Sequence, residues 1–236
     1  QRLMNRLDPI RQKKRPLSKK QQKVIKNTKV SVTDGDAVLG WDKVGTFRPV
    51  YNVALVQATD APLALAWDVF CRNNDQGLLR PMMEKAKEQN ERYLQEVLVD
   101  GGFINISDLL YCEKEGITVY ASLQTDKSSK KKKQANKKEK LAKTAFRYEG
   151  SQDVYHCPQG KRLERIGQHY EQRQGGETAV VLVYRAKAED CQNCKLRQEC
   201  TSSVKKGRVV KRYEGEEVLE RLRARMKDPK NQKIYR

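Results

Sequence analysis

Val97-Leu98-Val99-Asp100-Gly101-Gly102-Phe103 is the stretch that decides the fold. A short apolar run closed by a glycine pair reads as a buried strand that stops at a carboxylate. An acid at the exposed end of a core strand is held rigidly and can face a cleft. Burying it further would require a partner, because an unpaired buried carboxylate is very costly. A solvated turn aspartate is the plain alternative for this segment taken by itself.

Working outward, Phe47 to Phe70 carries a β pattern. Val50, Val53, Leu55 and Val56 come first, then a break at Asp60-Ala61-Pro62, then alternation at Leu63, Leu65, Trp67 and Val69. Two such runs joined by a short turn predict an antiparallel hairpin whose second strand is half-buried on its Leu63–Val69 side. Asn74 or Asp75 is placed to cap a helix running to about Tyr93, with Leu78, Leu79, Met82, Met83 and Ala86 on one face. After Asp100 a short helix is expected from about Ser107 to Glu115, with Gly116 as its stop and a strand at Ile117–Leu123. The strands ending at Asp100 and beginning at Ile117 should pair in parallel through that helix. Farther on, a β run at Ala179–Tyr184 and a charged helix at about Glu214–Lys227 are expected.

Length and composition set the frame. The 236 residues suffice for one good core, or one core with a small appendage. No run approaches the roughly 18 apolar residues of a membrane span, and the basic, polar residues 1–29 do not resemble a secretory signal. A first residue of Gln1, not Met, leads us to expect an incomplete piece. The net charge of +19 is concentrated in two places: residues 1–29 carry +10 and residues 127–143 carry +8. A near-neutral body with two basic segments points to a polyanionic partner, nucleic acid above all. Lys130, Lys131, Lys132, Lys133, Lys137 and Lys138 are the candidate DNA-contacting residues. Both runs can equally be read as solvated linkers.

Six cysteines in a long, lysine-rich chain suit a metal better than disulfides. Cys191-Gln192-Asn193-Cys194 has the two-residue spacing that lets two thiolates share one tetrahedral ion. Cys200 follows, and Cys157-Pro158-Gln159-Gly160 offers a fourth ligand in a turn. Four thiolates close the coordination shell, so the expected metal is a structural Zn²⁺. Free or redox cysteines are the competing reading. His156 is read as a surface histidine, and Cys71 and Cys112 as small core residues.

The segments Val30-Ser31-Val32-Thr33-Asp34-Gly35-Asp36-Ala37 and Phe47-Arg48-Pro49-Val50-Tyr51-Asn52-Val53, with Val99-Asp100-Gly101-Gly102-Phe103, resemble segments of bacterial insertion-sequence DDE transposases. Tyr155-His156-Cys157-Pro158-Gln159-Gly160 and Cys191–Thr201 resemble that family's cysteine-bearing insertion, and the motifs keep the family's order over about residues 28–236. The resemblance implies an α/β fold: a partial ribonuclease H-like mixed sheet (hairpin, helix, strand, helix, strand) at residues 30–124. Around it would lie a basic remnant at 1–29, a Lys-rich linker at 125–144, a small β-rich Cys₄ zinc insertion at 145–212 and a charged helix at 213–236.

It further implies DNA strand cleavage and transfer by two Mg²⁺ (or Mn²⁺) ions held by three carboxylates. Transposon ends would be the partner, without a membrane; the complete protein would be a homodimer in the bacterial cytoplasm, with the nucleoid. Asp100 would be the middle carboxylate. Asp34 or Asp36 is a candidate first carboxylate, although a turn built on Asp34-Gly35 explains that segment equally. The family's usual first aspartate would fall before Gln1 and its glutamate after Arg236, so the fragment alone is expected to be inactive. Glu214, Glu216, Glu217 and Glu220 are the late helical acids, and pairing with Arg221, Arg223 and Arg225 accounts for them. The alternative is a non-catalytic, salt-dependent DNA-binding remnant; a zinc-stapled module unrelated to DNA is a third.

Overall fold

The computed structural model describes residues 33–42, 44–90, 94–122, 141–172, 178–203 and 205–235, with isolated positions at 18, 19, 22, 26 and 31. The chain divides into two compact units, Gln1–Val119 and Tyr120–Arg236. Among the described residues no helix is long and apolar enough to cross a membrane. The candidate contact residues Lys130, Lys131, Lys132, Lys133, Lys137 and Lys138 lie outside the described residues.

The first unit mixes strands and helices. Strands β1 (Val38–Trp41) and β2 (Phe47–Val50) form one antiparallel pair. Strands β3 (Asn52–Gln57) and β4 (Ala64–Phe70) form the expected hairpin, with Val53 opposite Val69 and Leu55 opposite Trp67. Helix α1 (Leu79–Asn90) packs on it and on α2 (Ile106–Lys114). Strand β5 (Glu96–Val99) neighbours β6 (Thr118–Ala121) in a separate two-stranded ladder. The predicted order of hairpin, helix, strand, helix, strand is thus present. Among the described residues its ladders remain two pairs and do not join into one mixed sheet.

Three local outcomes differ from expectation. Leu78, Leu79, Met82, Met83 and Ala86 are buried as predicted, yet the helix begins at Leu79 and not beside Asp75. Gly77 is the cause: its φ of +80° lies in the left-handed region, which ends any helix attempted from Asn74. The hairpin buries the opposite face from the one its alternation indicated. Ala54 and Ala66 are 4% and 2% exposed, whereas Leu55 and Trp67 are 58% and 60% exposed. Alanines let α1 approach the strands closely, and this contact overrides the larger apolar residues. Cys112 is fully buried, but Cys71 is only partly so. Helix α2 ends at Gly116 (φ +72°) as expected, and Asn105 caps its start by accepting from the Asp108 amide at 2.8 Å.

The second unit is a five-stranded antiparallel sheet in the order β11-β10-β9-β8-β7. Its strands are β7 (Arg147–Glu149), β8 (Val154–His156), β9 (Arg162–Gln172), β10 (Thr178–Ala186) and β11 (Val209–Tyr213). Short helices α3 (Ala188–Gln192) and α4 (Arg197–Cys200) follow β10, and α5 (Glu217–Arg225) and α6 (Pro229–Tyr235) follow β11. The charged helix expected at about 214–227 is α5, and the charged segment given to 213–236 holds α6 as a second helix. The core of this unit is Phe146, Tyr155, Leu163, Tyr184, Ala186, Cys200 and Val210.

Gly207 leads into β11 beside the end of β10. A Cβ there would stand 1.8 Å from the Ala186 carbonyl oxygen, so backbone meets backbone and nothing flexible can yield. Gly207→Ala is expected to destabilise the second unit by about 1–3 kcal/mol, the range for forcing atoms into a packed site. Urea denaturation of the two chains measures the difference, and an unchanged midpoint would contradict the close approach.

Candidate functional site

Asp100 stands where the sequence placed it. Strand β5 ends at Val99, Asp100 is extended (φ −67°, ψ 150°), and Gly101–Phe103 turns through one 3₁₀ turn whose Phe103 amide donates to the Asp100 carbonyl at 3.0 Å. Its side chain is exposed and caps nothing. The carboxylate is therefore presented to solvent with its acceptor sites unspent on that turn.

A second acid lies beside this turn. A Cβ at Gly102 would meet Asp75 Oδ2 at 3.5 Å, and Asp75 Oδ1 accepts from Asn52 Nδ2 at 2.7 Å. The sequence reading gave Asp75 only as a helix cap. No sequence signal marks it, since at 3.5 Å the contact is an ordinary one that does not demand glycine at position 102.

Asp34 is employed differently. Oδ1 accepts from the Asp36 and Ala37 amides at 3.0 and 3.3 Å, and Oδ2 accepts from the Tyr51 hydroxyl at 2.7 Å. The Tyr51 bond first, then the Asp36 amide, holds its carboxyl below the ordinary range, and the same bond pushes the Tyr51 phenol up to about 12. Those contacts describe an Asx turn tied to the start of β3, the turn reading of Asp34-Gly35. Among the described residues no group of three or more His, Cys, Asp or Glu stands where it could hold a metal ion.

The four candidate thiols all belong to the second unit. Cys200 is in its core, and Cys157 and Cys191 pack against that core. Burial raises the Cys200 thiol, Arg208 opposes the rise, and Cys191, Cys157 and Cys194 add to it. The turn after Cys157 forms as expected, with Gly160 at φ +74° donating to the Cys157 carbonyl at 2.8 Å. The amide given to a sulfur comes from elsewhere: Arg208 N–H donates to Cys191 Sγ at 3.4 Å. Cys157, Cys191 and Cys200 thus meet at the same core and four thiolates would suit Zn²⁺, but among the described residues no three such ligands stand where they could hold a metal ion. His156 is partly buried, and its Nε2 lies 2.8 Å from Glu149 Oε2.

Three of the late acids have cation partners outside α5. Lys143 Nζ donates to both Glu216 oxygens, at 2.6 Å to Oε2. Arg212 donates to Glu220 Oε1 at 2.6 Å and to Glu217 Oε2 at 3.5 Å. Glu216 also accepts from the Tyr213 amide at 2.9 Å.

Residues 156–236 match the transposase DDE domain family. The matched stretch starts at His156, includes Cys157, Cys191, Cys194 and Cys200, and runs through β9, β10, β11, α5 and α6. The match supports the resemblance to DDE transposases drawn from the motifs. No curated protein and no solved structure matches the chain.

Asp100→Asn is expected to leave stability within about 0.5 kcal/mol, as for other exposed positions without a partner. Asp34→Ala removes three acceptor contacts of a turn and is expected to lower the urea midpoint visibly. Parallel denaturation of the two variants checks both; a clear loss in Asp100→Asn would assign Asp100 a structural role.

Proposed function

We propose that this chain acts on DNA as part of a DDE transposase, and that Asp100 is one of the carboxylates of its phosphoryl-transfer centre. The observation that carries the reading is an exposed, uncommitted carboxylate at the end of β5, in a chain whose residues 156–236 match the transposase DDE domain. The order of hairpin, helix, strand, helix, strand supports a ribonuclease H-like core.

Hard carboxylate oxygens suit Mg²⁺ or Mn²⁺, which supply activation of a water or 3′-hydroxyl and stabilise the leaving oxygen. Asp100 would serve as a ligand. The chain's own part is to fix that oxygen pair on a strand end, so that no loop rearrangement precedes ligation. Because no trio of acids is gathered among the described residues, this chain by itself is expected to bind DNA without cutting it. The charge of +19 favours the same non-catalytic binding role as the second reading. A homodimer acting at transposon ends in the bacterial nucleoid completes the proposal.

The 236-residue chain, incubated with Mg²⁺ or Mn²⁺ and duplexes carrying the family's terminal inverted repeats, is expected to bind and to leave both strands intact. Cleavage that Asp100→Ala abolishes would overturn the inactivity and keep the assignment of Asp100. Failure to bind any duplex at low salt would remove the DNA reading altogether.

For the cysteines we propose a structural zinc on Cys157, Cys191, Cys194 and Cys200. Their spacing, the meeting of Cys157, Cys191 and Cys200 at one core, and the Arg208 amide on Cys191 support it. Elemental analysis of chain purified from zinc-supplemented culture is expected to find about one Zn per chain, reduced by Cys191→Ser. A zinc-free, folded chain would refute it.

A further inference from the structure

The last two helices sort their charges by sign. Residues 217–235 contain three acids, and each has a local task. Glu217 and Glu220 are held by Arg212, which is itself only 4% exposed. Asp228 Oδ1 accepts from the Lys230 amide at 2.9 Å, at the start of α6. The cations Arg223, Lys227, Lys230 and Lys233 are exposed and enter no ion pair among the described residues. Glu217 and Glu220 are about half exposed (51% and 45%) but paired with Arg212, whereas the four cations face water without an ion pair among the described residues, so the surface they share carries uncompensated positive charge.

The surface is also rigid. Backbone bonds close the end of α5, Met226 N–H donating to Leu222 O at 2.9 Å and Asp228 N–H to Arg225 O at 3.2 Å, and Gln232 N–H donates to Asp228 O at 3.1 Å to begin α6. Side chains of α6 then satisfy the last carbonyls of α5: Asn231 Nδ2 donates to Arg225 O at 2.8 Å, and Gln232 Nε2 to Met226 O at 3.0 Å. These bonds fix α6 against the end of α5. Four cations are thereby held on a preformed elbow, which lowers the entropic cost of meeting an extended polyanion.

We infer that Arg223, Lys227, Lys230 and Lys233 form a contact surface for the phosphate backbone of duplex DNA, separate from the Lys-rich segment at residues 127–143. The inference rests on the DNA reading above and adds to it a fixed docking face. The neighbouring amides of Asn231 and Gln232 donate to α5 carbonyls, so the four cations supply contacts that position the duplex without reading its bases.

Fluorescence anisotropy with a labelled duplex, repeated over a NaCl series on the full chain, tests it. Each phosphate contact contributes about 0.9 to the slope of log K against log salt. Replacing all four cations with Gln is expected to make that slope shallower by about 3–4, equally for unrelated duplex sequences. Two double variants, Arg223→Gln/Lys227→Gln and Lys230→Gln/Lys233→Gln, are each expected to give about half that change and keep the test decisive if the quadruple variant misfolds. Arg223→Lys should leave the slope in place. An unaltered slope in the folded variants, with the parent chain still binding steeply with salt, would overturn this surface alone. A parent chain that does not bind, or binds without salt dependence, would overturn the DNA reading and this surface with it. Equal loss on single-stranded RNA but not on duplex DNA would also refute the assignment.

Discussion

A buried guanidinium organises the second unit. Arg212 sits on β11 and is 4% exposed, with its charged carbon 3.9 Å from the centre of the Tyr148 ring. It donates to the Tyr155 hydroxyl at 3.3 Å and to the carboxylates of Glu217 and Glu220. Burial opposes its charge, and the bonds to Glu220 and Tyr155 outweigh that cost, so it stays firmly protonated. Its carboxylate partners are about half exposed, so solvent screens part of the attraction. The pairs and the two buried apolar residues, Val218 and Leu222, together seat α5 on the sheet.

Around it the polar groups are closely interlocked. Tyr148, Tyr155 and Tyr184 have ring centres 5.0–6.0 Å apart, at edge-to-face and tilted angles suited to aromatic packing. Asp153, in a left-handed turn at φ +51°, accepts from Tyr184 at 2.5 Å and Tyr148 at 2.8 Å. Burial works against its ionisation, yet those hydroxyls and Arg165 keep the carboxyl below its ordinary range. Lys143 reaches Glu216 from the other side, although burial pulls the ammonium down. A core this polar is stable only because each member has partners, and each partner restricts where the others can stand.

The strand ending at Asp100 was legible because a short apolar run and a glycine pair admit few alternatives. The hairpin was legible from the break at residues 60–62, but not which face it buries. Alternation reports that two faces differ; only the packing of α1 shows that the alanine face is the one covered. The start of α1 was misplaced because the φ of Gly77 depends on its surroundings and not on its neighbours in sequence. The separate helix α6 follows from Asp228, which accepts from the Lys230 amide, and Pro229, which fits the first turn of a helix. For the candidate sites, cysteine spacing singled out Cys157, Cys191 and Cys200, which do meet at one core. Asp75 beside Gly102, and Arg212 with Tyr148 and Tyr155, involve residues far apart in sequence, and no local pattern announces them.

The five-stranded sheet has one more implication. Every strand pairs with its immediate predecessor or successor along the chain, so each loop to be closed joins adjacent segments. Chain-closure entropy is then met in small instalments, and contact order is low for an all-antiparallel sheet. Such a meander can zip up hairpin by hairpin as it leaves the ribosome, well before α5 arrives to be clasped.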